Sequence, residues 1–166
     1  KPSSAASDVY KRQAIDRSQD VLANCGIHIA GTDFDQRLSL NTVMPLLGMG
    51  SLMRGSSCDL EVPNMFYFDL TTWHTLTNLY SQQTLAQVKS IYTMAHDQPL
   101  IARLEKVLKK KAGHHILDTV ETCKQRLSDQ DKVELAMEFI EDDLTIAVTR
   151  QLLNQVIDDQ LQRIID

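Results

Sequence analysis

Apolar and polar positions alternate along this chain with two different periods, and the changes of period divide it into elements. In residues 20–30, Val21 and Leu22 lead to Asn24-Cys25-Gly26, and Ile27, His28 and Ile29 return, the pattern of a short hairpin. From Thr32 the spacing becomes helical. Phe34, Leu38, Val43, Leu46 and Leu47 give an interrupted apolar face that Pro45 should kink or end. Thr32 followed by Asp35 has the form of a capping box, in which the hydroxyl accepts from a first-turn amide and the carboxylate reaches back. Residues 48–64 are rich in Gly and Ser, with Pro63 near their end, and read as a long loop. In "MFYFDLTTWHTLTNLY" the positions Leu70, Trp73, Leu76 and Tyr80 share one helical face, and the aromatic group Phe66, Tyr67, Phe68 and Trp73 reads as core. Helical stretches follow at 84–95 and 99–111.

The helix expected over 114–127 carries two stripes. Ile116, Val120, Cys123 and Leu127 fall on one side, while Glu121, Lys124, Gln125 and Ser128 fall on nearly the opposite one. In the plainest reading these are a core face and a solvated face with one Glu-Lys pair. The period then drops to two. Val133, Leu135, Met137 and Phe139 alternate with polar or small residues, "DLTIAV" follows the acidic turn Glu141-Asp142-Asp143, and the two segments form an antiparallel hairpin. Thr149 should cap a last helix with Leu152, Leu153, Val156, Ile157, Leu161 and Ile164 on its apolar face. Helices outnumber strands, so the expected class is α+β and helix-rich, or part of an α/β fold.

Composition narrows the function classes. The chain has 166 residues with a net charge of −5, which argues against a nucleic-acid groove, since phosphate contacts need clustered Lys and Arg. The one basic run, Lys109-Lys110-Lys111, falls at a helix end, where it complements the dipole. No apolar run approaches the roughly 18 residues that span a bilayer. Cys25, Cys58 and Cys123 are widely spaced, without a CxxC pair or a His at ligand spacing, so neither a disulfide framework nor a zinc site is expected and a reducing, cytoplasmic setting fits. His114 and His115 diverge on a helix and make a poor metal pair. His74 and His96 show no partner in the pattern. Residues 1–13 carry no apolar period and read as a leader foreign to the fold, the remainder dividing into 14–47, 48–112 and 113–166.

Candidate chemistry is sparse. Asp33 and Asp35 lie two apart at a helix start and do not face each other, so dipole-favoured charges explain them better than a catalytic pair. The Gly31-Thr32 turn has two open readings: a helix cap, or a turn whose amides approach a phosphate.

Three segments in order resemble one family. "GIHIAGTDFDQRL" is similar to the "GDTHLGGEDFDxRL" segment of the DnaK-type heat-shock chaperone ATPases of the actin-like fold. "VETCKQRLS" resembles their "AERAKRxLS" helix, and the hairpin with "LTIAVTRQLLNQVIDDQLQRI" resembles the "ITRxxFExL" segment that follows it. "NTVMPLLGMGS" and the helix-rich insert resemble the YegD-like branch, which lacks the usual substrate-binding domain. The resemblance implies a partial ATPase lobe, the middle of the family's second lobe. Its site would place Ala30 and Gly31, with Thr32 beside them, where backbone amides wrap nucleotide phosphates. Glu121, Lys124, Gln125 and Ser128 would take the positions that meet adenosine. The implied cofactor is ATP or ADP, with Mg in the complete protein, and the implied partners are nucleotide and unfolded client proteins. Ala30 replaces a glycine and Gln125 an arginine, and Gly26 stands where the family has the aspartate that orders magnesium and water. The lineage the resemblance implies is therefore that of an ATPase, while efficient hydrolysis is put in question, and a chain of this extent should bind ATP poorly or not at all. A second expectation is a non-enzymatic helical interaction module that uses the 48–64 loop as its partner surface.

Overall fold

The structure, a computed structural model, describes residues 31–165. The hairpin expected at 20–30, Ala30 and the leader 1–13 lie outside the described residues. Helix α1 spans Gly31–Thr42, and a 3₁₀ turn follows at Met44–Leu47. Pro45 stands in the first positions of that turn, where its missing N–H costs nothing. The helix thus ends rather than kinks. Gly48 closes the turn at φ 98°, a left-handed conformation that glycine adopts without strain. The buried Tyr67 hydroxyl donates to Leu47 O at 3.2 Å and fixes this corner to the core.

The expected loop at 48–64 is not wholly irregular. Strands β1 (Leu52–Met53) and β2 (Leu60–Glu61) pair antiparallel within it. Met53 also bridges Ala95, with Arg54 N donating to Met94 O at 2.8 Å and His96 N to Leu52 O at 3.0 Å. The chain leaving a later helix supplies the backbone partners that local sequence did not announce. The helix expected through Leu70–Tyr80 is two short ones, α2 (Met65–Leu70) and α3 (Leu76–Leu79). At the break the hydroxyls of Thr71 and Thr72 both donate to Phe68 O, at 2.8 and 2.9 Å, competing with the helical ladder. Leu70 and Leu76 remain buried, but Trp73 is turned out and is 47% exposed.

Helices α4 (Gln82–Met94), α5 (Gln98–Lys109) and α6 (Gly113–Leu127) lie close to their expected bounds. Ser81 caps α4, its Oγ accepting from Thr84 N at 3.1 Å. Strands β3 (Lys132–Ala136) and β4 (Thr145–Thr149) form the expected antiparallel hairpin, with Lys132 opposite Thr149 and Ala136 opposite Thr145. β3 stops three residues short of the end of the alternating pattern at Phe139 because Met137 already begins the turn, its N–H donating to Leu144 O at 2.8 Å. Helix α7 spans Arg150–Ile165, and Thr149 caps it, Leu152 N donating to its hydroxyl at 3.2 Å.

The molecule is α+β and helix-rich, with two small antiparallel sheets among the described residues. Helix α4 packs on α5, α5 on the 3₁₀ turn, and α6 against β3, while α1 lies against both α6 and α7. The inner stripe of α6, Ile116, Val120, Cys123 and Leu127, is buried as its spacing predicts. Each such aliphatic side chain contributes about 1.5–3 kcal/mol by leaving water. That burial presses the outer face of α6 against the start of α1. No described helix is long and apolar enough to cross a membrane.

Candidate functional site

The start of α1 and the polar stripe of α6 meet at one ammonium group. Lys124 Nζ donates to Gly31 O at 2.9 Å and to Asp35 Oδ2 at 2.7 Å, joining residues 93 and 89 positions apart. The two side chains are 22% and 14% exposed, so the pair is largely shielded. Asp35 Oδ1 is buried and has no hydrogen-bond partner among the described residues. Loss of water raises the Asp35 pKa, with the neighbouring Glu121 charge adding to it, and the hydrogen bond and charge of Lys124 only partly offset the rise.

This corrects two expectations. Asp35 does not reach back to complete a capping box with Thr32; its carboxylate takes the ammonium of α6 instead. Lys124 does not pair with Glu121 along its own helix, because a shielded carboxylate competes for the ammonium more strongly than an exposed one. Glu121 is exposed and accepts from Gln125 Nε2 at 3.3 Å.

Around this contact lies a recess of about 220 Å³, lined by Gly31, Thr32, Asp35, Thr71, Trp73, Leu117, Glu121 and Lys124. Four of the residues singled out from sequence, Gly31, Thr32, Glu121 and Lys124, therefore share one cavity. Gln125 joins it only through Glu121. Ser128 does not line it and lies exposed at the end of α6, where its carbonyl accepts from Arg150 Nη2 at 3.4 Å. A Cβ built on Gly31 would lie 3.4 Å from Lys124 Nζ, an ordinary contact, so packing against Lys124 does not itself require glycine. The far wall is held by Gln36, whose Nε2 donates to Thr71 Oγ1 at 3.3 Å and Thr72 Oγ1 at 3.0 Å. Trp73 borders the recess and its ring lies 5.0 Å from that of His114.

Sequence reasoning missed Asp35, Thr71 and Leu117 as lining residues, and read Trp73 as core. Only the break between α2 and α3 brings Thr71 and Trp73 here, and no spacing within one helix signals it.

The recess is rich in acceptors. Its lining carries two carboxylates and one ammonium, and that ammonium is already spent on Asp35. Such a lining suits a neutral ligand with several donors, such as hydroxyls or an exocyclic amine, against an aromatic wall. A phosphate would meet net negative charge there and no uncommitted cation. No group of three His, Cys, Asp or Glu among the described residues could hold a metal ion.

The other candidates have local explanations. His114 stacks near Trp73 and His115 near Phe139, at 5.0 and 5.5 Å, which keeps the two rings apart. His96 does have a partner: its Nε2 lies 3.0 Å from Asp59 Oδ2. Cys123 is buried and its thiol pKa is pushed up to about 11 by loss of water, so it is not a reactive thiolate. Lys109 pairs with Glu105 at 2.7 Å, and Lys110 Nζ donates to Phe139 O at 3.3 Å. A larger, open polar cleft of about 960 Å³ lies beside the first turns of α7. Its arginine, Arg150, is committed to Asp131 at 3.1 Å and to Leu127 O at 2.8 Å. No protein-family model and no solved structure matches the chain.

Proposed function

We propose that the chain is part of an ATP-binding molecular chaperone related to the DnaK-type ATPases and their YegD-like branch, and that its recess takes the nucleoside end of ATP or ADP. The observation that carries this reading is the junction at Lys124. Two segments that resemble the family's phosphate turn and adenosine helix, far apart in sequence, are joined there by hydrogen bonds of 2.9 and 2.7 Å around one cavity. In this reading the lobe is a piece of an actin-like ATPase domain. Glu121 accepts from ribose hydroxyls, Trp73 offers a face to the base, and Lys124 positions the start of α1 while Asp35 holds it. Phosphates would be met by backbone amides at the Ala30-Gly31 turn rather than by Lys124, whose charge is balanced. Client proteins would be its partners.

The test is a thermal-shift assay on the product of the complete coding sequence. ATP or ADP should raise its Tm, and Glu121→Ala should remove most of that shift while leaving the nucleotide-free Tm unchanged, since Glu121 is exposed. An unaltered shift in Glu121→Ala would sink the assignment of the recess.

A second reading is a non-enzymatic interaction module. It is favoured by the apolar surface around β1 and β2, where Leu52, Leu60 and Met65 are 44%, 49% and 59% exposed. It predicts a stable domain indifferent to nucleotide, with Leu60→Ser abolishing capture of a partner.

A further inference from the structure

The β3–β4 hairpin has two edges, and the outer edge of β3 pairs with no other strand among the described residues. Arg150 N donates to Asp131 O at 2.9 Å and Met137 N to Leu144 O at 2.8 Å, which fixes the parity of the ladder. Asp131, Val133, Leu135 and Met137 turn their backbone groups toward β4, so Lys132, Glu134 and Ala136 turn theirs outward. Those three N–H and C=O pairs have no backbone partner among the described residues. Beside them runs a groove of about 350 Å³ between β3 and α6, with Thr122, Cys123 and Arg126 on the helix side and Val133 and Leu135 on the strand side. Val133 and Leu135 face the core, while Lys132, Glu134 and Ala136 face solvent.

We propose that this edge is an addition site for an extended peptide strand. A row of unpaired backbone donors and acceptors is satisfied best by another backbone, and a wall beside it holds the added strand in place. The side chains specify the occupant. In an antiparallel strand the residue opposite Glu134 is basic, the next faces Val133 and is apolar, and the one after, opposite Lys132, is acidic. The peptide therefore reads basic, apolar, acidic from its N-terminus. Lys132-Val133-Glu134 reads the same way, so the edge is self-complementary in charge. Two-fold pairing with a second copy, however, would set two α6 helices on the same face of the joined sheet, over the same groove. A single peptide meets no such obstacle.

The test uses the 166-residue chain and two labelled peptides of about seven residues, long enough to cover the edge at roughly 3.3 Å per residue. One is Thr-Val-Lys-Val-Glu-Val-Thr, and the other has its Lys and Glu exchanged. Fluorescence anisotropy should show the first binding roughly five- to tenfold tighter. Hydrogen exchange should slow at the amides of Lys132, Glu134 and Ala136 when it binds. The double substitution Lys132→Glu with Glu134→Lys lies on the solvent face, and should reverse the preference between the peptides without lowering Tm. Equal affinities for the two peptides, or an unreversed preference, would overturn the proposal. So would protection of the three amides before any peptide is added, or sedimentation showing a dimer that Glu134→Pro disrupts.

Discussion

Two contacts of similar length, a lysine–carboxylate ion pair and a histidine–carboxylate contact, hold two parts of this molecule, and they do different work. Lys124 and Asp35 meet at 2.7 Å with 22% and 14% of their side chains exposed, whereas His96 and Asp59 meet at 3.0 Å with 44% and 50% exposed. Distance alone would rank them together. The first pair has lost much of its water, so each partner depends on the other, and it clamps α1 to α6 at the mouth of the recess. The second lies in solvent, screened and partly redundant with the backbone bond from His96 N to Leu52 O. Geometry records where charges meet; burial decides whether the meeting governs the fold.

The sharpest way to break the comparison is to remove one member of each pair. Lys124→Met should destabilise the protein by about 2–3 kcal/mol in urea unfolding, because it strands the Asp35 carboxylate. Combining it with Asp35→Leu should restore most of that loss. Near the recess, Gly113→Ala places a Cβ 2.6 Å from both Leu76 Cδ2 and Tyr80 OH. Leu76 is fully buried and cannot swing aside, so a loss of about 1–2 kcal/mol is expected in the same assay. Thr149→Ala removes the α7 cap and should cost about 1 kcal/mol, read as a lowered Tm.

The pH dependence is gentler and has a definite sign. The Asp35 pKa is raised in the folded state, so its contribution favours folding below the unfolded value of 3.8 and is lost as pH rises through the folded value. A side-chain carboxyl NMR titration should place its midpoint above 3.8. Stability should fall, relative to Asp35→Asn, across that window. At the exposed pair, Asp59→Asn should change stability by less than about 0.5 kcal/mol.

The same contrast explains what was legible in the sequence. The stripe on α6, the cap at Thr149, the stop at Pro45 and the β3–β4 hairpin rest on neighbours within a few residues, and spacing carries them. The pairing of Lys124 with Asp35 spans 89 residues, and periodicity says only that each faces outward. The broken helix at Thr71 was hidden for another reason: two side-chain hydroxyls outweighed an apolar spacing that was locally sound. That break puts Trp73 at the recess instead of in the core. The polar stripe of α6 was visible; that it converges on Gly31 was supplied only by a family resemblance.

The nucleoside assignment is tested most directly by an NMR titration of the product of the complete coding sequence with adenosine, following backbone amides and the Trp73 indole. The account predicts a saturable shift of the Trp73 indole signal with shifts at Gly31, Thr32, Thr71, Glu121 and Lys124, all lost in Glu121→Ala. Shifts scattered away from the recess, or none at saturating adenosine, would contradict it.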